Sequence, residues 1–290
     1  LMAACSSGPE TCEACPGLSP RNRFAISGGV EPRWFGEYVG LLLVVGVGLM
    51  LMAEANHLLM AYLSIELVSV TSYILVALTR DSRSSEAGLK YLLFGALSSG
   101  IMLFGMSLLF GLTGQLAFPL LREALGRLDA SGMLACAMAA ALISVGLAFK
   151  ISMVPFHMWT PDVYEGAPVP VTAMLSVGPK AAGLALLLRF IDVFNPIWMV
   201  MAPIFLWLTV VTMTIGNVAA LVQTNVKRLL AYSTIGQVGY LLIGVCVNTT
   251  RGTEAVLVYL LAYVFMNLGA FACVVAGCLS GRLRRGLPRR

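Results

Sequence analysis

Apolar residues run along this chain in long stretches broken by short polar punctuation, and no stretch alternates with a period of two. A helix crossing the hydrocarbon core of a bilayer needs about 20 mostly apolar residues, because lipid offers no partner to a backbone group and each segment has to bond within itself. That template predicts about eight spans, near residues 38–54, 57–79, 87–112, 132–153, 171–191, 197–223, 229–247 and 254–279. Runs so rich in Leu, Ala, Met and Gly are expected as helices, not strands.

The polar punctuation orients the spans. Arg and Lys collect on the side of a membrane that is never translocated. One set of loops holds Arg21, Arg23, Arg33, Arg80, Arg83, Lys90, Lys227, Arg228, Arg282, Arg284, Arg285, Arg289 and Arg290, whereas the other holds only Arg122, Arg127, Arg189 and Arg251. Both ends are therefore expected on the cytoplasmic or matrix side, in agreement with an even number of spans. Composition excludes the soluble alternative: 59% of the 290 residues are hydrophobic and 11% charged, against about 25% charged in an ordinary soluble domain. The net charge of +5 follows the loops and is not interleaved with aromatics, which argues against nucleic acid as a partner and leaves lipid.

The third and eighth spans carry related sequences. Glu86-Ala-Gly-Leu-Lys-Tyr-Leu-Leu matches Glu254-Ala-Val-Leu-Val-Tyr-Leu-Leu at an offset of 254 − 86 = 168 residues. The second and seventh agree with small gaps: Asn56, Ala61-Tyr62 and Ser64 against Asn225, Ala231-Tyr232 and Ser233, and Ser72-Tyr73-Ile-Leu against Gly239-Tyr240-Leu-Leu. An offset of five spans turns the two copies in opposite senses across the membrane, as in the inverted repeats of transporters. The expected organisation is a polar extension at 1–36, a first unit of five helices at 37–192, an incomplete second unit of three helices at 193–280, and a basic tail at 281–290. Counterparts of the fourth and fifth spans would begin near residue 300, so a partner polypeptide, or a secondary loss, is expected.

Against this apolar background, ionisable residues inside spans stand out. Glu66 lies midway along its span, where a charge costs on the order of 3 kcal/mol and is kept only if it faces protein or water. It is either a proton-carrying group or a neutral structural one. Lys150 ends the run from Met133 to Phe149 and is followed by Pro155, His157, Trp159, Pro161 and Asp162. Taken alone it could snorkel to an interface. If Pro155 breaks the helix and a second half-helix continues to about Asp162, Lys150 sits at mid-depth beside freed carbonyls, with Trp159 and Asp162 approaching the interface. His157 is then either a satisfied structural group or a proton relay. Lys180, after Pro179, lies ten residues into its span, and burial without a partner would disfavour its ammonium form, which makes its charge switchable. One Glu and two Lys at mid-membrane suit a proton path better than a cofactor site.

Lys227 and Arg228 read as an interfacial anchor. Tyr232, Ser233, Thr234, Gln237, Tyr240 and Asn267 either hold water in a channel or bond between helices. Cys136, Cys246, Cys273 and Cys278 sit in apolar runs as small hydrophobes, and the Cys12-x-x-Cys15 pair, with Cys5 nearby, lacks a second pair of ligands. No glycine-rich phosphate loop follows a strand, and the two His, singly placed, cannot assemble a haem or zinc site. No redox centre, cofactor or metal is expected in this chain.

Two segments carry a resemblance. Gly146-Leu-Ala-Phe-Lys150-Ile-Ser-Met-Val-Pro155-Phe-His-Met-Trp-Thr-Pro-Asp162-Val-Tyr-Glu-Gly-Ala-Pro168 and Gln223-Thr-Asn-Val-Lys-Arg-Leu-Leu-Ala-Tyr-Ser-Thr-Ile-Gly-Gln-Val-Gly-Tyr240 resemble the antiporter-like subunits of proton-pumping NADH:quinone oxidoreductase, respiratory complex I. Pro-Phe-His-x-Trp-x-Pro-Asp is shared among those subunits; Val-Tyr-Glu-Gly-Ala-Pro and the following Gly178-Pro-Lys180 favour the subunit 2/N family.

The resemblance covers about residues 36–279 and implies an all-α polytopic fold of two inverted five-helix units, of which the eight spans are family helices four to eleven. It puts Glu66 on the carboxylate that pairs with the first-half lysine, Lys150 on that lysine in the broken helix, and Lys180 on the central linking lysine; the family's second-half lysine has no position here. It implies a chain without redox centres inside an enzyme whose other subunits bind NADH, FMN, iron–sulfur clusters and quinone. Expected partners are the other membrane-arm subunits and a separate polypeptide bearing the remaining helices. Two further readings are a subunit of a multisubunit cation/proton antiporter and a structural subunit that no longer pumps. The expected location is the mitochondrial inner membrane, with thylakoid and bacterial membranes as alternatives.

Overall fold

The computed structural model describes residues 35–286, with the backbone alone for residues 130 and 278–286. The chain forms α1 (Phe35–Glu54), α2 (Leu58–Val76), α3 (Ser82–Thr113), α4 (Phe118–Leu125), α5 (Ala130–Ile151), α6 (Trp159–Gly166), α7 (Val169–Val193), α8 (Trp198–Leu221), α9 (Val226–Val247) and α10 (Thr250–Gly286). Among the described residues, eight of these are long and apolar enough to cross a membrane, α4 and α6 being the short ones. Each expected span falls on one of the eight. Among the described residues, the single isolated bridge, between His57 and Ala117, forms no strand. The extension before residue 35, with Cys5, Cys12 and Cys15, lies outside the described residues, as does the end of the basic tail.

Helix α4 was not foreseen. Eight residues are too few to span, but Phe118, Leu121 and Leu125 point inward at helical spacing while Leu120, Arg122 and Glu123 face out. The α1–α2 turn holds this segment through backbone bonds from Leu58 to Leu116 (2.9 Å) and from Phe118 to Asn56 (3.0 Å).

Helix starts fix the internal register. Helices α2 and α9 begin 226 − 58 = 168 residues apart, and α3 and α10 begin 250 − 82 = 168 apart. The caps repeat at the same offset. His57 and Asn225 each accept the backbone N–H two residues on. Asp81 and Thr249 each accept the one three residues on. A cap must satisfy orphan N–H groups wherever a helix starts, so shared capping geometry marks a shared start. The register is ungapped and aligns Asn225 with His57, where the sequence match had paired it with Asn56.

Helix α7 runs through the centre, and fifteen of its residues are buried. Helices α1, α8 and α10 present large apolar side chains outward, among them Leu43, Trp207 and Phe265. In oil such faces cost nothing, and helices associate by close packing instead. The α8–α9 contact illustrates this: a Cβ on Gly239 would lie 2.7 Å from the backbone nitrogen of Met213, so only glycine allows the two backbones to meet there.

Candidate functional site

The site is organised by a break after α5. The helix ends at Ile151, and Ser152 turns left-handed at φ 64°. Chain direction then changes through Met153–Met158 before α6 begins. A break inside a bilayer is tolerated only if its freed backbone groups are met, and here they are met by backbone bonds of the turn, by side chains of the following segment and by one from α8. Trp159 Nε1 donates to the Phe149 carbonyl (3.0 Å), the Val154 N–H donates to Thr212 Oγ1 (3.1 Å), and Thr160 Oγ1 donates to Ser152 Oγ (2.8 Å). Two sequence expectations need correction. The Phe149 carbonyl is occupied by an indole and is not open to an ion. Trp159 is 1% exposed and stacked on Tyr91 at 4.3 Å, enclosed by protein and not turned to lipid headgroups, because the indole is needed to satisfy the break.

Lys150 and Lys180 are both fully buried. Lys150 Nζ donates to Ser69 Oγ of α2 at 3.1 Å, and Lys180 Nζ donates to Thr234 Oγ1 of α9 at 2.7 Å. The two acceptors are built alike. Ser69 gives its own proton to the Ile65 carbonyl (2.7 Å) and Thr234 to the Ala231 carbonyl (2.8 Å), so each presents a lone pair to its lysine. Lys180 also lies over the Tyr164 ring at 5.4 Å from the centroid, a favourable face for a cation. Its expected lack of a partner is thus corrected: Thr234, 168 residues after Glu66 and so at its repeat position, supplies a neutral one.

Glu66 is half-buried on α2 and accepts a hydrogen bond from Ser99 of α3. It lies within electrostatic reach of Lys150, yet the contact partner of Lys150 is Ser69, one helical turn further along α2. The expected direct carboxylate–lysine pairing is therefore a coupling across Ser69. Sequence reasoning missed Ser69 and Ser99; Ser69 carries the one available signal, its spacing of three from Glu66, which places it on the same helix face.

The supporting residues separate. His157 lies in the connector with Nδ1 buried and unpartnered. Tyr232 and Ser233 are half-buried on α9, and Tyr240 lies on the outer face, accepting from Asn217 Nδ2 at 2.8 Å. Lys227 and Arg228, expected as interfacial anchors, also bond within the protein. Arg228 Nη1 donates to Asp162 Oδ1 (2.9 Å) and Glu165 Oε2 (3.0 Å), Lys90 reaches Asp162 Oδ2 (3.1 Å), and Lys227 Nζ donates to the carbonyls of Glu165 (3.1 Å) and Ala167 (2.9 Å). This network clamps α6 between α3 and α9. Arg228 and Lys90 are thus spent on carboxylates, and Lys227 on the carbonyls at the end of α6.

The sequence and fold of the chain match a known group of proteins. The transmembrane family described as NADH:quinone oxidoreductase/Mrp antiporter matches residues 55–283. The chain belongs to that family. It is 51% identical over 243 residues to NAD(P)H-quinone oxidoreductase subunit 2 of Picosynechococcus sp., covering 82% of this chain and 46% of the relative. It is 48% identical over 243 residues to NADH-quinone oxidoreductase subunit N 1 of Rhizobium meliloti, covering 83% and 50%. The fold superposes on a chain of respiratory complex I from Thermus thermophilus, solved with bound aureothin, with a TM-score of 0.72 at 34% identity, over 87% of this chain and 54% of that one. The antiporter-like fold expected from the sequence is the fold observed. The chain spans about half the length of the curated relatives it matches.

Proposed function

We propose that this chain is a proton-translocating part of a membrane-arm subunit, of the subunit 2/N type, in NADH:quinone oxidoreductase. The observation that carries the proposal is the pair of fully buried lysines, each held by a hydroxyl at membrane depth. Burying two ammonium-bearing groups in oil is costly, and a neutral hydroxyl compensates only part of the loss. Both charge states of such a lysine are therefore within reach, as a carrier of protons requires. Reduction of quinone in another subunit changes the charge balance at Glu66; Lys150 then releases its proton, and Lys180 takes one up. Coupling of this kind is electrostatic and needs no bond-making chemistry in this chain. NADH, FMN, iron–sulfur clusters and quinone belong to other subunits.

Two units, 37–192 and 193–280, form the inverted repeat. The second has a polar outer face: Gln237 accepts from Tyr259, and Asn217 donates to Tyr240. Gln237 and Tyr259 stand 168 residues after Ser69 and Tyr91, which the end of α5 covers in the first unit. Such groups are expensive against lipid, so further helices of the membrane arm cover them. The relatives compared are bacterial, which supports a multi-pass protein of an energy-coupling membrane and adds nothing to the mitochondrial expectation. The cation/proton antiporter reading shares the family, but relatives at 51% and 48% identity bear the quinone-oxidoreductase name.

The test is proton uptake by liposomes containing the assembled complex. Glu66→Gln and Lys150→Ala are expected to lower protons moved per electron; unchanged stoichiometry in both variants refutes the proposal.

A further inference from the structure

An apolar groove lies between α5 and α8, about 370 Å³ in volume when counted to its open side. Its α5 wall runs from Ala141 to Ala148 and its α8 wall from Met201 to Leu208, and Met153 and Phe156 of the connector complete the lining. The Met153 N–H donates to the Ala148 carbonyl (2.8 Å), which sets the connector at that end of the groove. The rim faces outward: Met138 of α5 and Trp207 of α8 are 64% and 71% exposed.

Position along α8 gives the depth. At 1.5 Å per residue, Met201 and Leu208 lie about 5 and 15 Å from the start of α8 at Trp198, and half of a bilayer's hydrocarbon core is about 15 Å thick. The groove therefore runs from near one interface to mid-membrane, the depth of a single leaflet, and ends at the break that follows Lys150. Its chemistry is plain. Ser144 is the one polar side chain in the lining, and its hydroxyl already donates to the Ala140 carbonyl (2.8 Å). A cleft so lined stays dry, and left empty its walls would forgo the dispersion contacts by which membrane helices hold together. A neighbouring helix is too thick to enter, because a 10 Å length of helix takes up about twice this volume. A hydrocarbon tail is thin, lies along the bilayer normal, and is at hand all along the rim.

We propose that the groove is a binding site for one acyl tail of a membrane lipid, whose end packs against Met153 and Phe156 and so supports the connector of the broken helix. With no charged side chain in its lining, the site reads hydrocarbon alone. The head group stays outside, and lipids with different head groups serve alike.

The experiment reconstitutes the assembled complex in liposomes containing phosphatidylcholine with a photoreactive diazirine at the end of one acyl tail, irradiates it, and maps the labelled residues by mass spectrometry. Label is expected on Met153 or Phe156 as well as on the rim residues Met138 and Trp207. In Ala141→Phe, and separately in Ser144→Leu, a side chain of the protein fills the groove; label on Met153 and Phe156 should fall about tenfold while label on Met138 and Trp207 persists. Phosphatidylglycerol bearing the same tail should label as well as phosphatidylcholine. Label confined to the rim in the parent, inner label that survives both filling variants, or inner label from only one of the two lipids overturns the proposal. Should neither variant assemble, a density map of the parent complex decides: a continuous rod along the groove supports the acyl tail, and an empty groove or a side chain from a neighbouring subunit overturns it.

Discussion

Replacing Thr234 by Val tests how Lys180 is held, with little change of shape. Thr234 is fully buried, and its Oγ1 accepts from Lys180 Nζ at 2.7 Å while donating to the Ala231 carbonyl. Valine keeps the β-branch and volume but removes the lone pair. The Ala231 carbonyl sits within α9, where the helical bond remains, so the loss falls mainly on the lysine. A hydrogen bond to a charged group is worth about 1.5–3 kcal/mol, and the protonated state of Lys180 should lose about that much. Transfer through it should slow by about ten- to a hundredfold at 1.36 kcal/mol per decade. The assay is proton uptake per electron in liposomes, with a thermal melt of the same preparation to separate function from assembly. Thr234→Ser, which restores the hydroxyl, should recover most of the rate. A valine variant that melts and pumps like the parent would refute the assignment of Thr234 as the group that sustains the charged lysine.

Trp159→Phe keeps a ring on Tyr91 but leaves the Phe149 carbonyl with only the Ser152 N–H; a loss of about 0.5–1.5 kcal/mol, read as a lower melting temperature, is expected, and an unchanged melt would show that the break needs no indole. Gly239→Val forces apart the backbones of α8 and α9 and should destabilise by about 1–3 kcal/mol, seen as reduced assembly. Arg228→Gln removes a partner of Asp162 and Glu165; because these side chains are about one-third exposed, the effect on stability should stay below about 1 kcal/mol and shrink as salt is raised in the melt.

Much of this architecture was legible in the chain because oil imposes a simple rule. Segments of about 20 apolar residues must be helices, and Glu66, Lys150 and Lys180 interrupt such segments too conspicuously to be overlooked. The match between Glu86–Leu93 and Glu254–Leu261 gave the repeat its offset, which the helix starts reproduce. The acceptors were harder to see. Ser and Thr are common in membrane helices, where they bond back to their own turn, as Ser72 does to Val68 and Thr209 to Phe205. Beyond the spacing of Ser69 from Glu66, nothing local marks Ser69 and Thr234 as lysine acceptors, since they bond back in the same way. Trp159 was misplaced because hydropathy does not separate an indole at a headgroup from one satisfying a carbonyl in the core. Lys227 and Arg228 were read as anchors because their partners, Glu165 and Asp162, lie more than sixty residues away.

That acid and base groups at membrane depth change their ionisation during turnover is the central claim. Infrared difference spectroscopy of the assembled complex, recorded as NADH is added and with glutamate carbons isotopically labelled, observes it at Glu66 directly. The account requires a carboxyl band that changes on turnover and vanishes in Glu66→Gln. A Glu66 band that stays fixed while the complex pumps protons would contradict it.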